Sequence, residues 1–125
     1  MNLLNTAAMQ PPLIDAAQLA DLRDALGEDE SDMLLGLMIR DIAFRVNVIQ
    51  TAIAYNDGGK ARAQAHCLRG AADGIGARRL AWSCDAVEFG AAERLPSLSN
   101  MLARCGSETI AAISIARTQR VMSRL

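Results

Sequence analysis

Between Leu35 and Ile53 the apolar residues Leu35, Met38, Ile42, Val46, Ile49 and Ile53 return at steps of three and four, the period of a helix with one buried face. A run of that length is too long for a strand, and no strand-like alternation occurs elsewhere, so the face has to be covered by other helices. Three more stripes can cover it. Ala61, Ala65, Leu68 and Ala72 form one, small enough for a neighbour to approach closely. Ala77, Leu80, Cys84, Val87 and Ala91 form the next, and Leu98, Leu102, Cys105, Ile113 and Ala116 the last. The chain is thus expected to be all-α, an antiparallel up-down four-helix bundle with a short additional N-terminal helix over one end.

The boundaries follow from caps and breakers. Residues 1–14 read as a flexible N-terminal lead-in ending in Pro11-Pro12, and 15–125 as the bundle domain. Asp15 is the expected N-cap of the short helix, which carries Leu19, Leu22 and Leu26 and stops at Gly27. Asp29 or Ser31 is expected to cap the second helix, which ends at Asn56-Asp57-Gly58-Gly59. The third is expected from Lys60 to Ala72 and the fourth from Ala77 to Ala91. Pro96 fits the first turn of the fifth, bent or frayed at Gly106.

Composition narrows the function. Of 125 residues, 51% are hydrophobic but only 3% aromatic, so the core is aliphatic. A net charge of −1 gives no basic footprint for nucleic acid. The N-terminus lacks the basic and apolar regions of a signal peptide, and Arg40, Asp41 and Arg45 interrupt the greasiest stretch. A soluble, cytoplasmic protein is expected, with no membrane association. The cysteines Cys67, Cys84 and Cys105 are odd in number and widely spaced, which suits reduced thiols acting as small hydrophobes.

His66 is the sole histidine, and one imidazole cannot build a His-rich metal site. Without a Glu-x-x-His motif, a metal or haem bundle has no ligand set, and no metal is expected. Adjacent Cys67 points about 100° away around the helix, which argues against a Cys-His nucleophile. Arg62, Arg69 and Asp73 share the His66 face at −4, +3 and +7, with Gly59, Ala63 and Gly70 alongside. Two guanidinium groups within a turn of an imidazole attract anions, phosphate especially. Gly70 inside a helix costs about 1 kcal/mol against alanine, a cost that close approach of another macromolecule would justify. Spacing alone leaves open whether His66 is functional or simply a surface histidine.

The segment Ala65–Glu88 resembles the signature of histidine-containing phosphotransfer (HPt) domains, H-x-L-K-G-(S/A)-(S/A)-x-x-x-G-A-x-x-L-x-x-x-C-x-x-L-E. His66, Leu68, Gly70, Gly76, Ala77, Leu80, Cys84 and Glu88 match it, with Arg69 standing for Lys and Val87 for Leu. The resemblance implies a phosphorelay carrier without kinase or phosphatase activity of its own. His66 would accept a phosphoryl group on Nε2 from a receiver aspartate and pass it to another receiver. Arg69 would neutralise phosphoryl charge, Glu88 would orient the imidazole, and Gly70 would keep the docking face bare. The implied partner surface adds Arg62, Ala63 and Asp73, with exposed parts of the second helix. Trp82 belongs either at the rim of that surface or in a partly buried structural position. Receiver domains and a hybrid histidine kinase are the implied partners of a monomer; Mg2+ belongs to the receiver, and no cofactor is expected on this chain. Arg69 for Lys replaces a point charge by a planar fork, and Ala71 and Ala72 stand where many members carry Ser. A different reading keeps the bundle and drops the chemistry: a module that docks receivers without carrying phosphate.

Overall fold

The computed structural model describes residues 10–123, with side chains described through Gln119. Among the described residues five α-helices follow in order: α1 Ala16–Leu26, α2 Glu28–Ala54, α3 Gly58–Gly74, α4 Arg78–Phe89 and, after a 3-10 turn at Ala92–Arg94, α5 Leu95–Ser123. Helices α2 to α5 pack in a ring, each against the next and α5 back on α2, the arrangement of an up-down bundle. Leu35, Ile42, Ile49, Leu68, Leu80, Leu102 and Ile113 are fully buried at its centre. Each such side chain contributes about 1.5–3 kcal/mol through removal from water.

Helix α1 closes one end, as its single leucine edge requires. Asp15 caps it by accepting from the Gln18 amide at 3.0 Å. Its own amide donates to Gly76 O at 2.8 Å, tying α1 to the α3–α4 turn. Gly76 sits there at φ 78°, and a Cβ would meet Asp15 O at 3.2 Å, so both conformation and space call for glycine. At the other end of α1, the Arg23 guanidinium donates to Ala116 O on α5. Of the expected lead-in, residues 1–9 lie outside the described residues. Pro11 O and Pro12 O accept from the Arg79 side chain and amide, and Leu13 and Ile14 pack on the core.

The helices depart from expectation in several places, and α3 runs through Gly74 instead of stopping at Ala72, with Ala77 preceding α4 as its N-cap. Helix α2 begins at Glu28 with no side-chain cap, because Gly27 ends α1 and opens α2 at once. Ser31 instead donates to Glu28 O, and Glu28, Asp29 and Glu30 complement the positive end of the helix. Helix α3 begins two residues early, since the Asp57 side chain accepts from the Lys60 amide and draws Gly58 and Gly59 into the first turn. Helix α4 stops at Phe89, leaving Ala91 exposed beyond it. At Gly106, α5 neither bends nor frays. The glycine is buried where a Cβ would meet Val46 Cγ2 at 3.2 Å, so it lets α5 lie close against α2. Nearby Thr109 is buried and donates its hydroxyl to Cys105 O at 2.8 Å.

Cys84 and Cys105 are buried and Cys67 is exposed, all as free thiols. Burial, reinforced by Cys105 and the nearby carboxylates, pushes the Cys84 thiol from 9.0 to about 12. Cys105 is raised as well, chiefly by burial, against the lowering effect of its Thr109 hydrogen bond. Because these folded values exceed the unfolded one, their contribution to stability is complete below about pH 9 and declines as the pH climbs toward 12. Iodoacetamide at about pH 8 is expected to alkylate Cys67 and spare the other two until the chain is unfolded, and the urea midpoint should fall above about pH 9. Equal reactivity of all three thiols would contradict this core.

Candidate functional site

Burial of Ala61, Ala65, Leu68 and Ala72 fixes the rotation of α3 about its axis. His66 follows Ala65 by about 100° and therefore stands at the edge of α3 that faces α4. Its side chain is 66% exposed, on an open face rather than in a cleft. From α4, Glu88 reaches across with its carboxylate, and Oε1 lies 2.8 Å from His66 Nδ1. Glu88 is only 17% exposed, and its second oxygen is buried without a hydrogen-bond partner. A carboxylate can only accept, so the shared proton belongs on Nδ1, and the Nε2 lone pair is left facing outward.

Arg62 does not join that outward face. Its Nη1 donates to Glu88 O at 2.7 Å and Val87 O at 3.2 Å, carbonyls of the last turn of α4. Those groups have no partners within their own helix and form its negative end, which is why a guanidinium settles there. The outward pair of arginines expected from spacing is thus reduced to Arg69. Arg62 is placed to hold the backbone of Val87 and Glu88.

Arg69 lies between two carboxylates. Nη1 is 3.1 Å from Asp85 Oδ1 on α4, and Nε is 3.7 Å from Asp73 Oδ2 one turn along α3. Asp73 is exposed, and its carbonyl accepts from the Gln18 side chain of α1. Asp85 precedes Glu88 by three positions on the same side of α4, but spacing along one helix does not show that it meets Arg69 on another.

Beyond His66, α3 presents small residues to solvent. Ala63 and Gly70 are exposed, and a Cβ at Gly70 would meet nothing within 4 Å. No neighbour among the described residues requires a glycine there, so its cost in helix stability is not a packing requirement of theirs. On α2, which meets α3 through the Arg45–Gln64 hydrogen bond, Leu37 and Phe44 are exposed apolar side chains. Trp82 lies apart from His66, over a groove between α4 and α5 that it shares with Arg79, Met101 and Arg104. A larger groove of about 530 Å³ runs between α2 and α5, lined by Val46, Asn47, Gln50, Gly106 and Ile110. Among the described residues, no group of three or more His, Cys, Asp or Glu side chains is placed to hold a metal ion. Nor is any described helix long and apolar enough to cross a membrane.

No family model matches the chain, and no curated protein matches it significantly. Among solved structures it is similar to the crystal structure of histidine-containing phosphotransfer protein B (HptB) from Pseudomonas aeruginosa PAO1. The TM-score is 0.78 at 25% identity, over 88% of this chain and 98% of that one. This likeness supports assignment of the chain to the HPt domain family.

Proposed function

We propose that this chain is a phosphoryl carrier of a two-component phosphorelay, taking a phosphoryl group onto His66 from a receiver aspartate and passing it to a second receiver. One observation carries the reading above all. The His66 ring is held at Nδ1 by Glu88 while the side chain is 66% exposed, which leaves Nε2 as the ring nitrogen for an incoming group. Likeness to a histidine-containing phosphotransfer protein supports the same role.

The chemistry asks little of this chain. The Nε2 lone pair attacks phosphorus, the P–O bond of the aspartyl phosphate breaks, and the receiver carboxylate leaves with the bonding pair. The imidazole becomes a phosphoimidazolium whose positive charge sits beside Glu88, and the Nδ1 proton stays in place. Onward transfer runs the same steps in reverse on another receiver. Phosphoryl transfer depends on positioning and charge neutralisation, so an oriented nucleophile and a nearby guanidinium suffice on this side of the complex. The receiver supplies the aspartate and its divalent cation. Ala63 and Gly70, three residues before and four after His66, are exposed and carry little side chain on its face of α3, and Leu37 and Phe44 are exposed apolar side chains on α2.

Incubation with a receiver domain carrying labelled aspartyl phosphate is expected to move the label onto this chain. The bond formed is expected to be acid-labile and base-stable, as a phosphoramidate is. An acid-stable label, or none with every receiver of the source organism, would contradict the proposal.

A further inference from the structure

We infer that Asp85 is a positioning residue for the transfer, holding the Arg69 guanidinium away from the reacting phosphoryl group until the phosphoryl oxygens displace it. This rests on the phosphoryl-carrier reading and extends it to a residue outside the motif. His66 and Arg69 are three apart on α3, and Glu88 and Asp85 are three apart on the facing α4. The pairs therefore make two rungs, His66–Glu88 and Arg69–Asp85.

The rungs differ in kind. His66 and Glu88 share a hydrogen bond at 2.8 Å. Arg69 and Asp85 approach to 3.1 Å as an ion pair, yet the buried Asp85 Oδ1 has no partner of hydrogen-bonding geometry. Asp73, at 3.7 Å, adds a second and looser anion. Attraction without directed hydrogen bonds is readily exchanged. A phosphoryl group on Nε2 offers up to two negative charges and three acceptor oxygens, better matched to the guanidinium fork.

The exchange has a cost, since moving Arg69 leaves the buried Asp85 Oδ1 without its cation. Asp85 therefore sets how easily Arg69 reaches the phosphoryl group, and with it how readily His66 loads. Removing the Asp85 charge frees the guanidinium and should speed loading.

Phosphoramidate is a probe that needs no receiver. Nε2 attacks its phosphorus, the P–N bond breaks, and the protonated amine leaves as ammonia. Second-order labelling rates at about 0.15 M salt, followed by 31P NMR, are compared for wild type, D85N, D85A, R69A and R69A/D85N. D85N and D85A are expected to load about two- to fivefold faster than wild type, the range a half-exposed ion pair allows. In the R69A background the D85N change should fall below about 1.5-fold, because salt screens the remaining charge effect. That loss of effect separates positioning through Arg69 from a general structural role. Wild type that labels while D85N and D85A load no faster, or an equal acceleration in R69A, would overturn the inference alone. Wild type that takes no label would overturn the carrier reading and this inference with it.

Discussion

His66→Gln is expected to take no label from a phosphorylated receiver while folding and docking as wild type does. Glutamine keeps the approximate length and polarity of the side chain, but its amide nitrogen has no free lone pair to attack phosphorus. The side chain is exposed, and its hydrogen bond to Glu88 lies at the protein surface. Thermal stability should therefore stay within about 0.5 kcal/mol of wild type. Transfer assayed with labelled receiver, beside a melting curve and a binding isotherm, gives the three readings together. A His66→Gln chain that still accepts phosphate would place the acceptor elsewhere. Biological activity that survives the substitution would favour a module that only docks receivers.

Glu88→Ala is expected to retain the acceptor and lower its rate of phosphorylation by about 10–100-fold, the usual cost of losing the partner that orients a functional imidazole. Two effects act together. Without Oε1 at 2.8 Å from Nδ1, the ring is free to rotate and to exchange tautomers, so Nε2 presents its lone pair for only part of the time. The carboxylate charge that stabilises the forming phosphoimidazolium is also gone. Glu88→Gln separates them. Its amide oxygen can still accept from Nδ1–H, so it should restore orientation but not charge, and its rate should fall between wild type and alanine. Single-turnover transfer measures each rate. An alanine variant as fast as wild type would show that the Glu88 contact does no chemical service.

The buried face of α3 was legible because four small or apolar side chains at three- and four-residue steps admit one rotation of the helix. Glycine was harder to read. Gly58 and Gly59 look like a turn but lie inside α3, since the Asp57 cap secures the first turn around them. Gly106 looks like a break but is a point of contact with Val46. Both outcomes depend on what lies beside the glycine, which a local pattern does not contain. Arg62 makes the same point at the site. Its position four residues before His66 gives the direction of its Cβ, not the reach of a guanidinium that finds the carbonyls of Val87 and Glu88 on another helix. The Arg69–Asp85 pair was hidden for that reason too, because spacing orders residues along one helix and is silent about register between two.

Which atom of the chain carries phosphorus decides whether His66 is the carrier. Two-dimensional 1H–15N and 1H–31P NMR of the phosphorylated protein, with the imidazole nitrogens labelled, resolves Nε2 from Nδ1. The expected spectrum couples phosphorus to Nε2 of His66 and keeps a proton on Nδ1, where Glu88 receives it. Phosphorus on Nδ1, or on any residue other than His66, would contradict it.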